Sequence, residues 1–271
     1  MKLLALSLAA VSLLALACGS GDSTVFDAGD GSIGPSDGGP SFGDGALGGD
    51  GGADASDGNC GPNLTGTVRD FSIAGSTWHP DFEHFLGDDP GIVAQTLGTD
   101  FKPVYANAGG TTPTTTGKAD FDQWYRDVPG VNDSFPFQIV LTQNGNGTST
   151  YDNPNFFPID NQGWGNQGQP HNFGFTFELH TTFVYKGAET CTFTAADDLW
   201  TFVNGHLAID LGGVHGAESQ SLDLDAQAAT LGIVKGTQYP LDIFTAERHT
   251  TQSDIRIDTD IAFDNCTPIV H

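Results

Sequence analysis

From Phe173 onward the chain reads largely with a period of two. Phe173, Phe175, Phe177 and Leu179 alternate with Gly174, Thr176 and Glu178, and Ile255, Ile257, Thr259, Ile261 and Phe263 alternate with polar residues. Successive side chains of a strand point to opposite faces, so this alternation predicts strands with one buried face. Shorter strand-like runs cover about 183–186, 190–195, 199–203, 206–210, 220–225 and 239–246. They are separated by Gly187, the pair Asn204-Gly205, Gly212-Gly213 and Gly236. Asn-Gly between two β-rich runs predicts a tight hairpin, and residues 137–151 offer another across Asn144–Gly147. Residues 199–203 are apolar on both parities, apart from Thr201. This strand is expected to be buried on both faces, with Trp200 in the core.

Helical signals are confined to Pro80–Leu86 and Ala119–Asp127, each about two turns long. Many short strands at close spacing predict one antiparallel all-β sandwich or barrel over residues 60–271, with one or two short helices. Residues 88–118 and 152–172 are rich in Gly, Thr, Asn and Pro. They are expected to be long loops, where a rigid β scaffold carries its binding residues.

The first 59 residues read differently. Lys2 is followed by Leu3–Leu16, apolar apart from Ser7 and Ser12. That run suits the apolar segment of a signal peptide better than a membrane span. It ends Leu14-Ala15-Leu16-Ala17-Cys18-Gly19, which resembles a bacterial lipobox, so residues 1–17 are expected to be removed and Cys18 to carry lipid. An ordinary secretory signal with an incidental Cys is the alternative. Residues 18–59 contain eight Asp and no Lys, Arg or His among Gly, Ser and Ala. Such a composition cannot bury enough apolar surface to offset chain entropy, so it is expected to be a disordered tether. The protein is expected to be exported and lipid-anchored at the outer membrane or cell surface.

Charge then narrows the partners. The chain has 34 Asp and Glu against 9 Lys and Arg, a formal net charge of −25. Without a basic patch it is not expected to bind nucleic acid, and its contact with a membrane is through lipid alone. Of the 4 Cys, Cys60 opens the folded region and Cys266 closes it. Sandwich termini often lie close together, so a Cys60–Cys266 disulfide would staple the domain ends. Cys191 lies in a strand and is expected to be a buried thiol rather than a nucleophile.

Residues 190–217 read TCTFTAADDLWTFVNGHLAIDLGGVHGA. Strand, paired Asp, strand, Asn-Gly turn, strand ending Ile-Asp and Gly-rich turn together resemble the PA14 pattern. More narrowly the chain resembles the fibro-slime domain, through His79-Pro80-Asp81-Phe82-Glu83, Gly212-Gly213-Val214-His215-Gly216, and Glu247-Arg248-His249-Thr250-Thr251 leading into Arg256-Ile257-Asp258. The resemblance spans about residues 64–263. It implies a PA14-like β-sandwich in an extracellular, adhesive setting. In the yeast flocculin branch the paired Asp hold a calcium ion that also meets sugar hydroxyls. Carried over, Asp197 and Asp198 become candidate calcium ligands, with Glu247 and Asp254 as further ligands from the facing loop. Calcium takes several hard oxygen ligands, and adjacent carboxylates at a strand end supply two. The loop 247–254 lacks the Asn that the flocculin branch uses. The other reading of the pair is an acidic turn that caps backbone N–H groups.

His215, Arg248, His249 and Trp164 are the glycan-binding candidates; Glu247, Arg248 and His249 also read as an internal network holding loops together, and Trp164 and Tyr151 read more simply as plugs that fix the 151–172 loop. Asp210 reads as a turn-initiating acid. His79, Asp81, Glu83 and His84 form a ligand-rich cluster, more simply read as a short helix entry with Phe82 and Phe85 packing inward. No nucleophile elbow, zinc-protease helix, phosphate loop or dinucleotide fingerprint is present. The expected role is a non-enzymatic surface module that binds carbohydrate or matrix polymer, with a structural matrix component or a polysaccharide hydrolase as alternatives.

Overall fold

The period-two segments become strands because each has one face to bury. The computed structural model describes residues 63–265, and thirteen strands and two helices occur among them. In chain order these are β1 (Asn63–Phe71), β2 (Gly87–Asp88), α1 (Lys118–Phe121), β3 (Asn132–Val140), β4 (Thr142–Gln143), β5 (Ser149–Asn153) and β6 (Phe175–Val184). There follow β7 (Thr190–Ala195), β8 (Asp198–Val203), β9 (His206–Leu211), β10 (Gly213–Val214), β11 (Glu218–Asp223), α2 (Leu224–Leu231), β12 (Gln238–Glu247) and β13 (Ile255–Thr259).

Six strands form one sheet in the order β3-β1-β6-β12-β8-β9 and five form a second in the order β11-β7-β13-β5-β4, while β10 pairs with β2. Neighbours run antiparallel throughout. The expected antiparallel β-sandwich is what the chain forms. Its interior takes Val68, Phe177, Leu179, Leu199 and Ile243 from the six-stranded sheet and Phe193, Ile255 and Ile257 from the other. Asn204 and Gly205 have φ of 52° and 73°, the doubly left-handed turn that the sequence predicted between β8 and β9.

A second apolar cluster lies on the opposite face of the six-stranded sheet. Trp200, Phe202 and Phe244 meet Ile92, Val93, Tyr105, Phe121, Trp124 and Tyr125 there. Residues 88–131 are thus a lid with its own core, and β8 is buried on both faces as its pattern required. A polar row on the same face ties down the lid. Glu178 on β6 accepts from Arg69 at 2.8 Å and from Lys102 of the lid at 2.7 Å, and Arg69 also reaches Asp127 at the lid's end. His180 lies beside Glu178 and bonds Asp242 at 2.7 Å. Burial works to raise the Glu178 pKa, but His180, Arg69 and Lys102 overcome it and hold it at about 2.

Three local expectations are corrected. Pro80–Leu86 is a set of turns, with a single 3-10 turn at Gly75–Thr77 before it. Glu83 has a φ of 57° and donates its N–H to the Arg248 carbonyl; a left-handed residue cannot continue a right-handed helix. Phe82 packs inward, whereas Phe85 is only half-buried. The helix expected at Ala119–Asp127 has its regular part at Lys118–Phe121, after which the chain turns. The Asn132 amide donates to the carbonyls of Gln123 and Arg126 there. Conversely, α2 follows β11 where a strand-like run was expected to reach residue 225. Its signals were legible: Asp223 caps the Ala226 N–H, Ala residues follow, and Gly232 closes it at φ 66°.

Cys191 is buried in the sandwich, and burial pushes its thiol up to about 12, as an inert structural cysteine requires. Cys18, Cys60, Cys266, the leader and the tether lie outside the described residues.

The Glu178 cluster gives a first prediction. Glu178→Gln leaves Arg69 and Lys102 buried against a neutral amide, so urea unfolding at pH 7 is expected to show a loss of about 3–5 kcal/mol. The folded pKa of Glu178 lies below its usual 4.5, so its contribution is present above that value and is lost as pH falls toward 2. The variant's stability is expected to be flatter across that window.

Candidate functional site

Strand polarity sets where the loops gather. The ends of β1, β5, β7, β9 and β12 and the starts of β6, β8 and β13 share one pole of the sandwich, because each pairs antiparallel with its neighbour. Segments 72–87, 154–174, 196–197, 212–217 and 248–254 therefore converge there.

The acidic pair occupies the step from β7 to β8. Asp197 has a φ of 54°, a left-handed position that a short acidic side chain tolerates better than a bulky one. It exchanges two hydrogen bonds with His215: its N–H donates to the His215 carbonyl, and its Oδ1 accepts the His215 N–H, both at 3.1 Å. Its Oδ2 accepts the Arg248 N–H at 2.8 Å. Asp198 Oδ1 accepts the Gly213 N–H at 2.7 Å and Oδ2 accepts Arg248 Nε at 2.6 Å. Gly213 has a φ of 129°, and a Cβ there would lie 2.5 Å from the Gly87 carbonyl oxygen. Only glycine brings this backbone N–H to Asp198.

Arg248 is 1% exposed. Beyond Asp198, its guanidinium donates to the Thr114 carbonyl at 2.6 Å, Thr114 Oγ1 at 3.1 Å and the Asp81 carbonyl at 3.3 Å. It lies 4.7 Å from the Trp124 ring centroid, a cation–π distance. Its acceptors are themselves fixed. Asp89 Oδ2 holds Thr114 through its N–H and hydroxyl. Asp81 accepts from Thr116 and from Trp124 Nε1. Asp210 accepts from Trp200 Nε1 and from the N–H groups of Gly91 and Gly212. It is a loop-fixing acid within β9, close to its expected turn role.

Burial dominates the titration of the carboxyls. It pushes Asp197 up to about 7, with the Arg248 N–H pulling the other way. Asp198 is also raised by burial, against the opposing charge of Arg248. Glu247 is raised well above its usual range by burial and then by the neighbouring Asp197; its Oε1 has no hydrogen-bond partner. Arg248 loses hydration, but Asp198 holds its proton more firmly than in water.

As placed, these residues do not fit calcium. All four oxygens of the Asp pair accept N–H groups, and a guanidinium already stands against Asp198. Among the described residues, no three His, Cys, Asp or Glu side chains are grouped to hold a metal ion. Asp254 is half-buried, and its carbonyl, rather than its carboxylate, bonds the Ala196 N–H. The capping reading describes the pair's observed bonds.

The glycan candidates divide. For Arg248 the internal-network reading describes the bonds: it is interior and committed to Asp198 and Thr114. His215 is half-buried, with Nδ1 on the Gly216 carbonyl. His249 is half-buried, and its Nδ1 has no hydrogen-bond partner. Trp164 is 37% exposed, on a loop pinned where Asp70 Oδ2 accepts its N–H at 2.5 Å. Tyr151 packs half-buried against the main core. Trp78, 42% exposed on the same pole, was not singled out by the sequence reading, nor were Thr114 and Trp124. The links of Thr114 and Trp124 to Arg248 span more than a hundred residues, so no local pattern carries them.

The PA14 domain family model matches residues 137–264. Protein psiR of Dictyostelium discoideum is 38% identical over 202 residues, covering 68% of this chain and 20% of psiR. Protein psiQ of the same organism is 39% identical over 196 residues, covering 65% of this chain and 19% of psiQ. The chain spans about a fifth of the length of these curated relatives. Among solved structures, the PA14 sugar-binding domain from an RTX adhesin is 12% identical with a TM-score of 0.26, covering 43% of this chain and 73% of that one.

Two substitutions separate the fully buried acid from the half-buried one. Asp198→Asn strands the Arg248 charge and is expected to cost about 3–5 kcal/mol in denaturant unfolding. Asp254→Asn is expected to stay within about 0.5 kcal/mol.

Proposed function

We propose that this chain is an exported surface protein, anchored through lipid on Cys18, whose β-sandwich binds carbohydrate or a matrix polymer. The observation that carries the reading is the placement of exposed indoles. Trp78 and Trp164 are 42% and 37% exposed, and both sit on the loop pole, among Gln, Asn, Thr and His side chains. Trp124 and Trp200 are fully buried, so the chain places its other two tryptophans inside and leaves these at the surface. A flat aromatic face with hydrogen-bonding neighbours suits a sugar ring, which offers an apolar C–H face and hydroxyl edges. The PA14 match supports the same reading, as does the acidic composition, which favours a neutral polymer over an anionic one.

A polysaccharide array with purified protein is expected to identify at least one retained glycan. Trp78→Ala and Trp164→Ala are each expected to weaken that binding about tenfold or more, with melting temperature within about 2 °C of the parent. Retention of full affinity in the double variant overturns the loop pole as the site. A blank array favours the structural matrix role instead. In a membrane fractionation, Cys18→Ser is expected to move the protein from the membrane pellet to the soluble fraction.

A further inference from the structure

The environment of Arg248 departs from what a buried arginine usually needs. An interior guanidinium is commonly neutralised by a bidentate carboxylate. Here a single carboxylate oxygen, Asp198 Oδ2, is joined by two carbonyls and a hydroxyl: Thr114 O, Asp81 O and Thr114 Oγ1. The Trp124 face is a further cation-binding surface. Four oxygens of carboxylate, carbonyl and hydroxyl type are the donor set that a hard divalent cation takes. The Asp197 and Asp198 oxygens that do not face the guanidinium are closed off by the N–H groups of Gly213, His215 and Arg248.

The geometry points to Arg248 as the resident cation of the Asp197–Asp198 pair. Its guanidinium fills the oxygen-lined position beside Asp198, and the loop pole is assembled without a metal ion. Two features of the site support this role over simple charge neutralisation. The oxygens come from three separate segments, around Asp81, Thr114 and Asp198, so the one cation gathers loops as a structural ion does. The donors around it are pre-set by their own partners: Asp89 on Thr114, and Thr116 and Trp124 on Asp81. The residue is a positioning residue, since it is buried and its side chain bonds only protein atoms from other segments. The inference concerns assembly and stands apart from the carbohydrate reading, because its readout needs no ligand.

The experiment is thermal unfolding of the full-length chain in excess EDTA and in about 5 mM calcium chloride. Extracellular calcium modules bind with dissociation constants of about 10⁻⁴–10⁻³ M, so a resident calcium site in a domain of this size would raise the melting temperature by roughly 2–9 °C. The expected shift is under about 1 °C. A larger rise that disappears in Asp198→Asn overturns the proposal. Arg248→Lys keeps the charge but loses the planar fork and the stack on Trp124. It is expected to melt several degrees lower, equally in EDTA and calcium. A variant that melts like the parent overturns the guanidinium as the organising cation. If Arg248→Lys does not fold, the parent's response to calcium decides alone.

Discussion

One buried positive charge organises the upper half of this molecule. Arg248 directly follows β12 and is almost entirely removed from water, and an interior charge persists only where its surroundings return what hydration supplied. Asp198 provides the opposite charge, two carbonyls and a hydroxyl take three more N–H groups, and Trp124 covers the face. The oxygens come from three separate segments, around Asp81, Thr114 and Asp198. The loops cannot move independently, because displacing any one leaves part of the guanidinium unpaired in a dry interior. The cost of a charge out of water thus becomes the force that holds irregular backbone in place, where a sheet ladder cannot reach.

The lid on the outer face of the six-stranded sheet follows the same logic lower down. Residues 88–131 carry one short helix and few ladder bonds, so their backbone contributes little. Aromatic packing against Trp200, Phe202 and Phe244 supplies the area, and Lys102 on Glu178 supplies the register. A hydrophobic face alone would let the lid slide; a buried ion pair has one geometry.

Strands were readable in the sequence because their signal is local. Phe175–Leu179, Ile255–Thr259 and Asn204-Gly205 each state their structure within a few residues, and the sandwich followed from their number. The paired Asp could be located, and the capping alternative describes their bonds. What the sequence did not disclose was who pairs with whom. Arg248 read equally as a surface hand and as part of an internal network, because it stands beside Glu247 and His249 in a polar run. Its burial depends on Thr114, from a loop whose composition says only that it is irregular, and on Trp124, from the segment expected to be helical. Pro80–Leu86 failed as a helix for the same reason: a bond from Glu83 to Arg248, far along the chain, outweighed local propensity. The α2 helix is a different kind of miss, since its cap, its Ala run and its closing Gly were all in plain order.

Chain direction gives the sandwich a mechanical character. β1 begins at the pole opposite the loops and runs toward them, flanked by β3 along its whole length and by β6 over part of it. Its ladder bonds lie across the strand. A pull entering at Asn63 and leaving through the loop pole therefore loads those bonds side by side, in shear, instead of opening them one after another like a zip. Resistance to such a pull is set by the rate at which the fold gives way rather than by its equilibrium stability. The tear would have to start with the whole length of β1 at once.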